Sequence, residues 1–187
     1  MANDKVTAAM QLLSIMVTLS ISGSAFDLRR GYPDISLFYS TDAIIWTLNT
    51  TMNTNLFCKV DFVNTTTEDH TEFRRVTGLN TSRDYEDLNG TFISLGRITK
   101  SPPYNAMVVR PRQEGNEKST EELLREYGNY TCGIFSVMLS TTIGTFYELR
   151  MKNSSIHDQN RICFEDFRKT AYVESTKIYN ESCQTFR

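Results

Sequence analysis

Two consecutive segments decide the fold: Tyr130-Thr-Cys-Gly-Ile-Phe-Ser-Val-Met-Leu139 and Thr145-Phe-Tyr-Glu-Leu-Arg-Met151, separated by Ser140-Thr-Thr-Ile-Gly144. Both segments contain many β-branched and aromatic residues, which are enriched in strands. The connection between them is short and polar and ends in glycine. They are therefore predicted to form an antiparallel β-hairpin.

Segments of the same kind precede this hairpin and are separated by turn residues. Glu121–Tyr127 is ambiguous, because its composition favours a helix whereas its place in a regular series of strands favours a strand. Pro111–Lys118 is predicted to be a polar loop. Asn89-Gly90 marks the beginning of one of the strands. The other predicted strands are Ala43–Thr50, Thr54–Val63, Glu72–Thr77, Leu88–Ile98 and Tyr104–Arg110.

The apolar period changes after the hairpin. Cys163, Phe164, Phe167 and Ala171 recur at helical spacing and predict an amphipathic helix of about 12–15 residues. Its cap is expected at Ser154, Ser155 or Asp158, and Tyr172–Phe186 is expected to form an extended tail. About eight strands and one helix indicate a closed antiparallel barrel with a C-terminal α-helix on its outside, with a two-sheet sandwich as the alternative.

The first 25 residues have the features of a secretory signal peptide. A short charged start precedes a mostly apolar run from Val6 to Ile21, and the small residues Gly23 and Ala25 follow it. The run is shorter than the ~20 apolar residues that a spanning helix requires. We therefore expect residues 1–25 to be removed and residues 26–187 to form one secreted, extracellular domain.

Seven Asn-x-Ser/Thr sequons occur among the 13 asparagines of the chain. This density is well above what the Ser and Thr content gives by chance, and behind a signal peptide it indicates N-glycosylation. The predicted glycosylation sites are Asn49, Asn64, Asn80, Asn89, Asn129, Asn153 and Asn180.

The four cysteines predict two disulfides, and the sequence by itself allows three pairings. They are Cys58, Cys132, Cys163 and Cys183. No Cys-x-x-Cys occurs and only His70 and His157 could assist a metal, so neither a zinc site nor another cofactor is expected.

The composition and the motifs favour a binding protein over an enzyme. The formal net charge is −2, which gives no reason to expect binding to nucleic acid or to an acidic membrane. No nucleophile elbow, zinc-protease motif or phosphate-binding loop occurs. With two histidines and no spare thiol, a Cys–His or Ser–His nucleophile lacks its parts.

Several segments, taken in order, resemble the salivary lipocalins of ticks, the family named for its histamine binders. These segments are Ile45-Trp-Thr-Leu-Asn-Thr-Thr51, Cys58-Lys-Val-Asp61, Tyr130-Thr-Cys-Gly-Ile-Phe135, Tyr147-Glu-Leu-Arg-Met-Lys-Asn153 and Cys163-Phe-Glu-Asp-Phe167, with the late Cys183. The resemblance implies an eight-stranded lipocalin barrel with a C-terminal helix. It also implies the disulfides Cys58–Cys183 and Cys132–Cys163.

The second of these disulfides has a consequence for the interior of the barrel. Because side chains alternate across a strand, a Cys132 that faces the outer helix places Ile134 and Met138 outside as well. An eight-stranded barrel has room for one small ligand. The candidate ligand-binding residues are Trp46, Phe57, Gly133, Phe135, Val137, Phe146 and Glu148, and packed core is the alternative for each of them.

Amine-binding members of the family carry an aspartate where this chain has Gly133 and an aromatic residue where it has Arg150. A buried ammonium requires a paired carboxylate, so histamine or serotonin scavenging is the alternative function, kept open by Glu148. The expected function is modulation of host immune and inflammatory defence, as in the japanin-like group. The expected partner is an apolar or amphipathic molecule (a sterol, a fatty acid or an eicosanoid), a host immune protein or cell-surface receptor, or both.

Overall fold

The computed structural model describes residues 31–79, 82–96, 98, 100–113, 115–158 and 160–186. The predicted signal peptide, residues 1–25, lies outside the described residues, and so does the sequon residue Asn80. The elements below belong to the compact unit that begins at Tyr32. No helix in the described part of the chain is long and apolar enough to cross a bilayer.

Nine strands, two α-helices and two short 3-10 helices follow one another in the described residues. The helices are α1 (Ile35–Phe38) and α2 (Arg161–Ala171), and the 3-10 segments are Asn153–Ser155 and Glu181–Phe186. The strands are β1 (Ile44–Thr50), β2 (Leu56–Thr66), β3 (His70–Leu79), β4 (Ser82–Ile93), β5 (Ala106–Pro111), β6 (Ser119–Tyr127), β7 (Cys132–Leu139), β8 (Phe146–Lys152) and β9 (Thr176–Lys177).

The strands β1–β8 close into an antiparallel barrel. Each strand from β2 to β7 pairs with the next in sequence, β8 pairs with β1, and β1 pairs with β2. In the closing ladder Ile44 lies opposite Phe62 and Thr47 lies opposite Lys59. Closure leaves none of these eight strands as a free edge. The predicted barrel is confirmed and the sandwich is excluded.

Side-chain alternation divides the apolar residues into two separate clusters. The outer cluster joins Ile134 and Leu149 of the wall to Cys163, Phe167 and Ala171 of α2, which confirms a C-terminal helix packed on the outside. Burying a side chain such as Phe167 contributes about 1.5–3 kcal/mol. The inner cluster fills the interior from one end of the barrel towards its middle with the side chains of Ile35, Phe38, Tyr39, Ile45, Val63, Phe73, Leu88, Phe92, Met107, Val109, Leu123, Phe135 and Val137.

The short helix α1 was not predicted, and it closes that end of the barrel. Asp34 caps it, and its carboxylate accepts a hydrogen bond from the backbone N–H of Ser36 at 3.0 Å. Ile35 and Phe38 are fully buried among the inner cluster. Four residues are too few to show a helical period, so no pattern in the sequence marked this element.

Glycine misled the prediction for β4. Asn89-Gly90 was expected to begin a strand, but the strand begins at Ser82 and ends at Ile93. Gly90 faces inward, where an added Cβ would lie 2.6 Å from Sδ of Met107. The glycine therefore serves close packing against the neighbouring strand β5 rather than a turn.

Two further predictions of element type and boundary are now decided. Glu121–Tyr127 lies in strand β6, paired on both sides, so its place among the strands overrides its helical composition. The cap of α2 is Asn160, which accepts from the backbone N–H of Cys163 at 3.2 Å. The expected caps Ser154, Ser155 and Asp158 were wrong.

Candidate ligand-binding site

The end of the barrel opposite α1 contains a cavity of about 970 Å³. Ligand cavities of proteins usually measure about 300–1,000 Å³, so this one has room for a small organic molecule. Apolar side chains form much of its wall, and these come from β2, β4, β5, β7 and β8: Leu56, Leu88, Val109, Val137, Leu139 and Phe146.

Charged side chains form the floor of the cavity. Nζ of Lys59 donates to Oε1 and Oε2 of Glu148 at 2.8 and 3.0 Å. Arg150 approaches the same carboxylate from below, with Nε and Nη2 at 2.8 and 2.5 Å from Oε2. Arg150 is fully buried, so this contact belongs to the interior of the barrel.

A second part of the floor is built around Arg75. Its Nε and Nη2 donate to the two oxygens of Asp61 at 2.7 and 2.8 Å, and its Nη1 donates to Oε1 of Glu121 at 2.9 Å. Arg150 Nη1 reaches Oε2 of Glu121 at 2.5 Å. Tyr39 donates to Asp61 at 2.7 Å and accepts from Arg150 at 2.6 Å. We call these seven side chains the charged layer: Tyr39, Lys59, Asp61, Arg75, Glu121, Glu148 and Arg150.

The charged layer keeps its carboxyl groups ionised. Burial raises the pKa of Glu121, but the charges of Arg150 and Arg75 outweigh it and hold the pKa well below its usual range. At Glu148 burial likewise raises the pKa, but the charges of Lys59 and Arg150 outweigh it, so the pKa is lowered. The pKa of Lys59 is also lowered, first by burial and then by the charge of Arg75. Three cations and three carboxylates therefore face one another in a buried and electrically balanced set.

The half of the barrel below this layer is packed. The guanidinium carbon of Arg150 lies over the ring of Phe135, 4.4 Å from the centroid of that ring. The rings of Phe135 and Phe38 meet edge to face, with their centroids 5.0 Å apart. At Gly133 an added Cβ would lie 2.7 Å from Phe38 and 2.9 Å from Leu123. Position 133 therefore requires glycine, because Phe38 of α1 occupies the space beside it.

Two disulfides fasten the C-terminal part of the chain to the outside of the wall. Cys58 of β2 bonds to Cys183, and Cys132 of β7 bonds to Cys163 of α2. This pairing is the one that the family resemblance implied. Bridges that close long loops contribute several kcal/mol in the chain-entropy model, about 3–5 kcal/mol for loops of this order.

Solved structures of similar architecture place this barrel among known folds. The chain is similar to japanin from Rhipicephalus appendiculatus bound to cholesterol, with a TM-score of 0.56 and 10% identity over 81% of this chain and 100% of japanin. This chain has the lipocalin fold. It is also similar to the siderocalin Ex-FABP, which functions through dual ligand specificities (TM-score 0.50, 11% identity, 70% of this chain and 84% of that one). Neither a family model nor a curated protein sequence matches the chain.

Three of the seven predicted ligand-binding residues line the lipocalin cavity. Val137 and Phe146 belong to its apolar wall and Glu148 to its floor. Phe135 and Gly133 face inward as predicted but lie in the packed half, beneath the charged layer. The side chains along β7 therefore alternate as predicted. Gly133 and Phe135 differ from Val137 in their position along the barrel axis.

The other two predicted residues lie outside the wall. Trp46 belongs to the outer cluster, where its ring meets Tyr179 at 5.3 Å and its Nε1 donates to Asn153. Phe57 packs on Phe186. The β1–β8 and β2–β3 ladders both contain bulges. The bulge in β2 lies at Cys58, whose φ is +54°, and it puts the side chains of Phe57 and Cys58 on the same, outer side of the wall. Neither residue is part of the interior, which corrects that expectation.

The six described sequon residues differ in exposure. Asn64, Asn129 and Asn180 are exposed, whereas Asn49, Asn89 and Asn153 are half-buried. Oδ1 of Asn153 accepts from Trp46 and from Gln184, and Nδ2 of Asn49 lies 3.4 Å from Oγ of Ser175. Glycosylation of these positions stays a prediction.

Sequence reasoning missed most of the charged layer. The sequence predicted no role for Asp61 in the interior and marked Arg150 only as the replacement of an aromatic ring. The available signal was alternation: Lys59, Asp61 and Val63 share one face of β2, and Glu148 and Arg150 share one face of β8. No group of three or more His, Cys, Asp or Glu side chains that could hold a metal occurs among the described residues.

Proposed function

We propose that this chain is a secreted salivary lipocalin of the tick histamine-binding protein family that modulates host immune and inflammatory defence. It does so by holding a small apolar or amphipathic host molecule in the open half of its barrel. The observation that carries this proposal is the cavity of about 970 Å³ with an apolar wall and a polar floor. Such a site binds; it has no group arranged to act as a nucleophile, so the chain is proposed to be a binding protein and not an enzyme.

The wall supplies the affinity in this proposal. Removing apolar surface from water contributes roughly 25 cal/mol per Å², and the side chains of Leu56, Leu139 and Phe146 present such surface to a bound molecule. The ligand classes that fit are sterols, fatty acids and eicosanoids. Japanin, of similar fold, is bound to cholesterol, which supports a lipid of this size in a barrel of this shape.

Secretion is supported by the sequence and by the two disulfides. The predicted signal peptide and the seven sequons point to the secretory pathway, and disulfides persist in oxidising, extracellular surroundings. In such surroundings the two disulfides keep the C-terminal part of the chain attached to the barrel.

Amine scavenging, the alternative, is less well supported by the floor. Glu148, which kept this possibility open, is already paired with Lys59 and Arg150. An ammonium placed beside it would also meet those two cations. Gly133 has no space for the missing carboxylate, so Gly133→Asp would disturb the core rather than create an amine site.

A host protein could bind the outer surface in addition. A groove on the outer side of β2, β3 and β4 includes Phe62, Arg83 and Tyr85, and Tyr85 is 69% exposed. The sequon residue Asn64 lies in the same groove, so a glycan there would restrict the approach of a partner.

The proposal is tested by native mass spectrometry of the deglycosylated protein purified from eukaryotic cells, followed by organic extraction. We expect a stoichiometric lipid, or uptake of an environment-sensitive lipid fluorophore into the empty protein. Leu139→Trp, which places a bulkier ring in the cavity, should weaken this binding. Met138→Trp, on the outward side of the same strand, should leave it unchanged. An empty barrel that takes up neither lipids nor the fluorophore would overturn the proposal.

A further inference from the structure

We propose that the floor of the cavity selects an uncharged head group bearing a hydroxyl, so that the preferred ligand is a neutral amphiphile rather than a carboxylic acid or an amine. This inference rests on the proposed function, namely that the cavity binds a lipid. It is carried by the geometry and the charge balance of the floor.

Lys59 and Glu148 together offer one donor and one acceptor to a ligand. Among the described residues, the ammonium of Lys59 donates to Glu148 alone, at 2.8 and 3.0 Å, so one of its three N–H bonds remains available. Oε1 of Glu148 accepts only from Lys59 within the described structure, whereas Oε2 also accepts from Arg150. A hydroxyl can accept from Lys59 and donate to Oε1 of Glu148 at the same time.

A charged head group would disturb a balanced set. The layer contains three cations and three carboxylates, and every buried side-chain N or O atom among the described residues has a hydrogen-bond partner. A carboxylate head near Lys59 would also lie beside Glu148, and an ammonium near Glu148 would also lie beside Lys59. Neither charge finds an unpaired counter-ion, and a buried charge without one is unfavourable.

A ligand bound the other way round, with its tail on the floor and its head group at the entrance, also binds unfavourably if the head group is charged. Lys59 and Arg75 are the most accessible members of the layer, with 9% and 14% of their side chains exposed. An apolar tail on the floor would remove water from these groups without replacing its hydrogen bonds. At the rim, Asp84, Glu86 and Glu117 outnumber Lys118 and Arg110, which pair with Glu86 and Glu117. A carboxylate head at the entrance would therefore meet a net negative charge, and an ammonium head there would still leave its tail on the charged floor.

The test compares three ligands with the same twelve-carbon chain: dodecan-1-ol, dodecanoate and dodecylamine. Each displaces a bound environment-sensitive fluorophore from the intact glycoprotein at neutral pH. We expect the alcohol to bind at least about tenfold more tightly than either charged compound, a difference of roughly 1.4 kcal/mol. Equal or tighter binding of the acid or the amine would overturn the inference and leave the proposed function standing. Failure of the fluorophore and of all three compounds to bind would overturn the proposed function itself.

A charge-removing variant sharpens this test. Glu148→Gln keeps the shape of the side chain and leaves Lys59 and Arg150 with an unbalanced positive charge. Dodecanoate should then gain about tenfold or more relative to dodecan-1-ol. Glu165→Gln, on the exposed side of α2, changes the net charge equally and should leave the preference as in the wild type. An unchanged preference in folded Glu148→Gln would contradict the inference, and the wild-type comparison stands independently if this variant does not fold.

Discussion

The two halves of the barrel are built from the same strands and yet differ in what fills them. In the closed half, Phe135 of β7 packs against Phe38 and Arg150. In the open half, Val137 of the same strand, two residues further on, lines a cavity of about 970 Å³. Val137 is as deeply buried as Phe135, so it lies where the packed inner cluster meets the cavity.

The charged layer is the boundary between these halves. Buried ions must be paired with one another and with hydrogen-bonding groups, since the loss of one partner leaves an uncompensated charge. Ion pairs therefore link the side chains of the layer across several strands, from Lys59 and Arg75 to Arg150. Apolar side chains pack densely beneath it, where α1 supplies Ile35 and Phe38. Above it none of the described elements closes the barrel, and space is left.

Acidification should affect the boundary most, because it acts on all three carboxylates at once. Although burial raises them, the pKa values of Asp61, Glu121 and Glu148 are lowered by the neighbouring cations. Between these lowered values and the unfolded values of about 4, the unfolded chain binds more protons than the folded one. The stabilisation is thus present above about pH 5 and is lost as the pH falls through the folded pKa values.

Urea unfolding at a series of pH values checks this expectation. The free energy of unfolding should stay nearly level around neutral pH and fall progressively below about pH 5. The Glu121→Gln variant has one fewer carboxylate in the layer and should show a shallower fall. A stability that does not change between pH 5 and pH 2.5 would contradict the presence of ionised, paired carboxylates in the layer.

Arg150→Met should have the next largest effect. The substitution keeps much of the volume but leaves Glu121 and Glu148 each without one buried partner, so we expect a loss of about 3–5 kcal/mol in the free energy of unfolding. Arg74→Met is the matched control, because Arg74 pairs with Asp87 on the exposed face of the sheet and such pairs contribute little. Similar effects of the two variants in urea denaturation would contradict a special role for the layer.

A pair of phenylalanine truncations compares the halves directly. Phe135→Ala in the packed half should cost about 3 kcal/mol or more, because it opens a void among buried side chains. Phe146→Ala removes a half-buried ring that already faces the cavity, so we expect about 1 kcal/mol. Binding of the lipid fluorophore should weaken in Phe146→Ala. If the order of the two stability losses were reversed, the division of the barrel would be wrong.

The sequence predicted correctly which side chains of β7 face the interior of the barrel, but not how far along the barrel axis each one lies. Alternation along β7 placed Gly133, Phe135 and Val137 on the inner face, and the structure agrees. The same rule could not tell which of them a ligand reaches, because depth along the axis depends on α1, a helix of four residues from the other end of the chain. Phe57 was misplaced because a bulge at Cys58 shifts the alternation by one residue.

The sequence by itself determined the class of the molecule: an antiparallel all-β protein with a C-terminal helix, with a closed barrel favoured over a two-sheet sandwich. Strand periodicity, the hairpin around Ser140–Gly144 and the helical spacing after Cys163 are local patterns, and a local pattern can be recognised without knowing its neighbours. The pairing of the cysteines needed the family resemblance in addition, because spacing alone leaves three arrangements open.

Only the tertiary structure decided where the cavity lies and what forms its floor. Lys59, Arg75, Glu121 and Arg150 come from four different strands, and their charges have meaning only once closure of the barrel brings them within hydrogen-bonding distance of one another or of Glu148. In a sequence each of them resembles an ordinary surface charge. Inside the barrel they must be paired because burial removes most of their water, and that requirement separates the packed half from the half that can hold a ligand.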